Sequence, residues 1–112
     1  MKKLECIIRP HKLDEVRQAL DKADVHGMTV TEVRGFGRQK GHTEHYRGVE
    51  YKADFQPKLK LEILVRDDQA TETIKIVQEA AKTGKFGDGK IFLTGVEDIL
   101  RIRTGDRGEQ AL

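Results

Sequence analysis

The sequence predicts a single α+β domain on three observations: an apolar alternation of period two, two stretches with helical spacing, and an echo between the two halves of the chain at an offset of 57 residues. Leu4 to Arg9 is a short apolar strand. After Pro10, positions Leu13, Val16, Leu20 and Ala23 follow helical spacing until Gly27 offers a stop. Met28 to Arg34, "MTVTEVR", is rich in β-branched residues and reads as a second strand. Leu59, Leu61, Ile63 and Val65 alternate with Lys58, Lys60, Glu62 and Leu64, the strongest strand signal in the chain. Asp67 and Asp68 stand where they can cap a helix with the stripe Ala70, Ile74, Val77 and Ala81, ending near Gly84. Lys90 to Leu93 and Ile99 to Thr104 supply one or two further strands.

The echo pairs Ile8 and Arg9 with Val65 and Arg66, and Leu13, Leu20, Ala23 and Gly27 with Ala70, Val77, Ala80 and Gly84. The resulting order, βαβ, loop, βαβ, is that of a ferredoxin-like double βαβ sandwich, with two helices on one face of an antiparallel sheet. A chain of 112 residues (1–112) makes one such domain and has no third layer for the other sheet face, so self-association is expected.

Composition excludes several classes. Charged residues make up 36% of the chain, but 21 basic and 19 acidic residues leave a net charge of only +2, which suits a soluble surface rather than a general nucleic-acid clamp. The single Cys6 permits neither a disulfide nor a cysteine zinc site within the chain, which suggests a reducing compartment. "MKKLECIIRP" is too short in apolar residues for a signal peptide or a membrane span, so a cytoplasmic location is expected.

Between strands two and three lies a polar loop, about residues 36–57. Glycines 35, 37, 41 and 48 and Pro57 break it up, and the longest run free of both, Val49 to Gln56, is too short for a helix. It nevertheless carries Tyr46, Tyr51 and Phe55 in a chain with only six aromatic residues. Apolar side chains held away from the core favour a contact or modification loop over a solvated excursion.

Anion chemistry concentrates further on. "GKFGDGK", Gly84 to Lys90, has P-loop spacing, but Ile91 stands where Ser or Thr would bind magnesium, and the order is helix, loop, strand. Three glycines in this turn still let backbone N–H groups face an anion, with Lys90 beside them. On a strand, Arg101 and Arg103 of "RIR" would share a face and converge on the same site, making a polyphosphate pocket the better account of all three features.

"RGFG", Arg34 to Gly37, opens like an RNA-recognition signature, but the residues that follow are Arg38, Gln39 and Lys40 instead of aromatics, and the first strand has nothing to stack a base. The glycine spacing 35, 37, 41 is followed by no helix and implies no dinucleotide fold. His42 and His45, three apart around Glu44, lack a third firm ligand. No nucleophile and base constellation can be placed, so nothing points to an enzyme.

The stretches "TEVRGFGRQKGHTEHYRGVEY", "TGKFGDGKIFL" and "RIRTG" resemble the PII signal-transduction proteins of bacterial nitrogen regulation, from Met1 to about Gly105. The resemblance implies a homotrimer that binds ATP or ADP between subunits, and 2-oxoglutarate beside magnesium and ATP. Its long loop would act on ammonium transporters, nitrogen-assimilation enzymes and their regulators. By position, Gly87, Asp88, Gly89, Lys90, Arg101 and Arg103 would hold the phosphates, and Gly37, Arg38, Thr29, Glu62 and Leu64 would complete the nucleotide site. Gln39 and Lys58, at the two feet of the loop, would meet 2-oxoglutarate, with Gln39 also at the magnesium. Tyr51 matches a tyrosine modified by a uridylyltransferase in many relatives, and Arg47 matches a residue that enters a transporter pore. Val49 stands where the family usually has Ala or Ser, which excludes serine phosphorylation there. The tail, about 105–112, carries no motif. A non-catalytic sensor is thus the leading expectation, and a small nucleotide-dependent phosphotransferase using the same anion pocket is the alternative.

Overall fold

In the computed structural model, which describes residues 1–37, 45–46, 49–50 and 55–112, the chain order is β1 (Lys2–Ile8), α1 (Leu13–Lys22), β2 (Thr29–Phe36), β3 (His45–Tyr46), β4 (Val49–Glu50), β5 (Phe55–Val65), α2 (Ala70–Ala81) and β6 (Lys90–Gly95). The echo between the halves reappears as geometry. Arg9 and Arg66 are both extended (φ −68°, ψ 138° and φ −69°, ψ 157°), and each leads into a single 3-10 turn, Pro10–Lys12 or Asp67–Gln69, before its helix. Each turn is closed by a backbone bond of 3.0 Å, from Lys12 N–H to the Arg9 carbonyl and from Gln69 N–H to the Arg66 carbonyl.

β2, β5, β1 and β6 form one antiparallel sheet in that order, the split βαβ arrangement the sequence predicts. Leu4, Cys6 and Ile8 of β1 and Leu59, Leu61, Ile63 and Val65 of β5 point to one face, where Val16 and Leu20 of α1 and Ala70, Val77 and Ala81 of α2 cover them. At roughly 25 cal/mol per Å² of apolar surface removed from water, this one layer is the main favourable contribution to folding. The opposite face carries the alternate residues of β5, Lys58, Lys60, Glu62 and Leu64, and neither α1 nor α2 covers it; the 3-10 turn Gly108–Ala111 reaches only its Glu62 and Leu64 end.

Several boundaries differ from the sequence reading. α1 stops at Lys22, before Gly27, because Asp24 takes the left-handed conformation (φ 60°). Asp24 N–H then reaches the Asp21 carbonyl (3.1 Å) and Val25 N–H the Leu20 carbonyl (2.9 Å), the paired bonds of a Schellman stop. An aspartate tolerates this backbone less well than glycine. Asp24→Gly is therefore expected to raise stability by about 0.5–1 kcal/mol, read from the urea midpoint.

Asp67 and Asp68 do not cap the second helix. Asp67 Oδ1 lies 2.8 Å from the Met1 amino nitrogen and Asp68 Oδ1 accepts from Arg66 Nε at 3.2 Å, while Gln69 Oε1 accepts from Arg66 N–H at 3.0 Å. α2 ends at Ala81, short of Gly84.

The stem of the long loop is also more ordered than the glycine pattern suggests. β2 and β5 stay paired out to Phe36 and Phe55, whose exposed rings lie 5.4 Å apart, so Phe55 is indeed withheld from the core. Within the loop, the backbones of β3 and β4 pair antiparallel.

The segment from Ile99 to Thr104 is not a strand. Leu100 makes only an isolated bridge to Arg107, and the chain turns over residues 102–104. The Asp98 carboxylate holds this loop closed by accepting from Ile99 N–H (2.9 Å), Gly108 N–H (3.2 Å) and Arg107 Nε (2.9 Å). These local bonds satisfy the backbone that a fifth sheet strand would otherwise have to pair.

Candidate functional site

The turn between α2 and β6 is built around one carboxylate. Asp88 Oδ2 accepts from the backbone N–H groups of Thr83 (2.9 Å) and Gly84 (2.8 Å), and Oδ1 accepts from the Thr83 hydroxyl and from Arg9 Nε (3.0 Å). Burial alone would push this carboxyl up. The hydrogen bonds from Thr83, Arg9 and Gly84 overcome it and hold Asp88 well below the usual carboxylate range.

Because its pKa is depressed on folding, Asp88 contributes stability that is present above the ordinary value of 3.8 and is lost as pH falls through the folded value. The wild-type urea midpoint is expected to fall between about pH 5 and pH 2, with a flatter profile for Asp88→Asn.

Gly84, Gly87 and Gly89 all have positive φ (86°, 98° and 102°). Gly89 is the most constrained, since a Cβ there would lie 1.7 Å from the Ile7 carbonyl oxygen. The turn is thus pressed against the end of β1, one residue before Lys90 pairs with Ile7. With the N–H groups of Thr83, Gly84 and Lys85 already donated, the backbone N–H groups later in the turn and the exposed Lys90, which has no ion pair among the described residues, are the parts left for an anion.

Lys58 faces this turn. Its side chain runs beside Gly35, where a Cβ would stand 3.2 Å from the lysine Cγ, and its ammonium donates to the Gly87 carbonyl. The residue is only 8% exposed. Burial pulls its pKa down first and the Arg9 charge adds to this, while Asp88 opposes them. A buried cation beside a second cation, with a carboxylate already engaged, favours an added anion.

Of the residues expected in a site, Gly37, Lys58, Gly87, Gly89 and Lys90 line one cleft of about 450 Å³. Thr29, Glu62 and Leu64 line a second, of about 620 Å³, together with Ala111 and Leu112. On β5 the two are separated by the stretch from Lys58 to Glu62, roughly 13 Å at strand spacing.

The strand that would set Arg101 and Arg103 on one face is absent, since the chain turns over residues 102–104. Arg101 Nη2 donates to the Leu112 carbonyl oxygen (2.7 Å), which places it by the second cleft, and its Nη1 lies 3.6 Å from Asp106 Oδ2. Arg103 is exposed. Arg38, Gln39, Arg47 and Tyr51 lie outside the described residues.

Sequence reasoning missed Arg9 and Thr83 as parts of this turn. The only signal for Arg9 was its place in the echo with Arg66. The Cys6 thiol is fully buried and burial pushes it up to about 12, so it stays protonated and unreactive. Among the described residues, no group of three His, Cys, Asp or Glu side chains could hold a metal, and no helix is long and apolar enough to cross a membrane.

A split βαβ sheet whose glycine turn is closed by an internal carboxylate, with Lys58 and Lys90 beside it, defines a ferredoxin-like α+β domain. The particular family follows from comparison: the model for "Nitrogen regulatory protein P-II" matches residues 1–106, and the chain belongs to that family. Proteins called Nitrogen regulatory protein P-II are similar to it over the full length of both chains, with 60% identity in Pasteurella multocida (strain Pm70), 57% in Haemophilus influenzae (strain ATCC 51907 / DSM 11121 / KW20 / Rd) and 56% in Azospirillum brasilense.

Proposed function

We propose that this protein is a non-catalytic signalling component of nitrogen regulation that binds ATP or ADP, senses 2-oxoglutarate with magnesium, and acts on its targets through the long loop. The observation that carries the reading is that Gly37, Gly87, Gly89 and Lys90 line one cleft and Thr29, Glu62 and Leu64 another, so that neither holds all the expected nucleotide residues. In a homotrimer, the first cleft of one copy would meet the second cleft of the next, and the sheet face opposite α1 and α2 would be covered by neighbours. The glycine turn with Lys90 would take the phosphates and Lys58 a carboxylate of 2-oxoglutarate. Magnesium would be held by oxygens of the two ligands and by Gln39, and it would screen the charge between them.

A dianion bound at Lys58 would contact the foot of the loop, and a reciprocal coupling of about 1 to 3 kcal/mol between the ligands would suffice for a graded response. ADP, lacking the γ-phosphate, would support 2-oxoglutarate poorly. The loop would dock on an ammonium transporter or a nitrogen-assimilation enzyme or its regulator, with Arg47 as a contact and Tyr51 as the site of a uridylyltransferase.

Calorimetry on the intact protein tests the reading. ATP, magnesium and 2-oxoglutarate are expected to bind cooperatively without turnover, at the mass of a trimer by light scattering. Failure to bind adenine nucleotides at millimolar concentration would overturn it. Release of ADP at a rate abolished by Lys90→Ala would point to a phosphotransferase instead.

A further inference from the structure

We propose that Arg9 is a positioning residue for nucleotide binding: acting through Asp88, it fixes the glycine turn against β1 without itself meeting the ligand. This role rests on the nucleotide reading above.

Two of the donor groups of Arg9 are directed into the turn. Nε donates to Asp88 Oδ1 at 3.0 Å, across 79 residues of chain, and Nη2 donates to the Phe86 carbonyl at 2.6 Å. Asp88 in turn ties down Thr83 and Gly84, so a single carboxylate joins the start of the turn to its end. Arg9 connects that closed loop to the sheet at the point where β1 stops. Without the guanidinium, Asp88 can still cap Thr83 and Gly84 and Lys58 can still hold the Gly87 carbonyl, but Phe86 and Asp88 lose their tie to the end of β1, and the amides facing the anion lose part of their fixed direction. Preorganised donors bind an anion more tightly than donors that must first be ordered.

The echo between the halves shows that the contact is particular to the first arginine. Arg66, at the equivalent backbone position, pairs among the described residues only with Asp68, two residues away. The same strand exit therefore carries a local ion pair in the second half and a long-range clamp in the first.

A double-mutant cycle on the intact protein, read by ATP calorimetry at fixed salt, tests this. Arg9→Met and Asp88→Asn are each expected to weaken ATP binding about tenfold, and the double variant no further than either alone. Losses that add would mean that Arg9 meets the ligand directly, and recovery in the double variant would mean a charge effect alone; either result overturns the proposal, as does unchanged affinity in Arg9→Met. If Arg9→Met does not fold, Arg9→Gln replaces it in the same cycle. Wild-type protein that ignores ATP would instead overturn the function proposed above.

Discussion

Gly89→Ala is expected to destabilise the protein by about 3 kcal/mol or more, or to detach the turn from β1. Two independent costs act together. The added Cβ would meet the Ile7 carbonyl oxygen at 1.7 Å and its carbon at 2.7 Å, both backbone atoms of a paired strand that cannot rotate aside. The φ of 102° is also one that an L side chain rarely adopts. The measurement is urea unfolding of both proteins. Gly95→Ala serves as control, because nothing lies within 4 Å of a Cβ there, and it should shift stability by less than about 0.5 kcal/mol. Equal midpoints for Gly89→Ala and wild type would show that the turn does not press on β1.

Lys58→Met is expected to weaken 2-oxoglutarate binding to the ATP- and magnesium-loaded protein by at least about 30-fold, because it removes the charge that would face a carboxylate in a largely desolvated site. Stability should respond differently. Burial and Arg9 depress the lysine below its ordinary 10.5, so the unfolded chain holds that proton more tightly than the folded one. The resulting penalty is present at neutral pH and disappears as pH rises from the folded value towards 10.5. Relative to wild type, Lys58→Met should therefore be most stable near neutrality and lose that advantage in alkali, as followed by urea midpoints from about pH 7 to pH 10. Undiminished 2-oxoglutarate binding by the variant would remove Lys58 from the proposed effector site.

Much of the fold was legible because local signals agreed with one another. The alternation from Lys58 to Val65 named the buried face of β5, and the helical stripes named the residues that cover it. The echo at 57 residues reappears in the 3-10 turns after Arg9 and Arg66, which the residue patterns do not name. Where the reading failed, a side chain had replaced an expected backbone signal. Asp24 stops α1 in place of Gly27, and Asp98 closes a loop where "RIR" suggested a strand.

The site was legible in its residue types but not in its assembly. The glycine spacing and Lys90 suggested an anion turn, yet nothing local to "RP" at positions 9 and 10 signals a contact made near residue 88. Lys58 read as one of the polar residues of an alternating strand, whereas its stem lies buried beside Gly35. Such placements arise only when β1, β2 and the turn meet.

β5 outruns its neighbour: β1 pairs with it only from Leu59 onward, whereas β2 follows it out to Phe55. Pro57 falls in the unaccompanied stretch and has no backbone hydrogen to donate. A foreign strand laid along that rim would meet an interrupted ladder, which guards the ribbon against edge-to-edge aggregation. On that rim pairing by backbone alone is obstructed, and the rim left open to an added strand is the outer side of β2, an edge strand of the sheet.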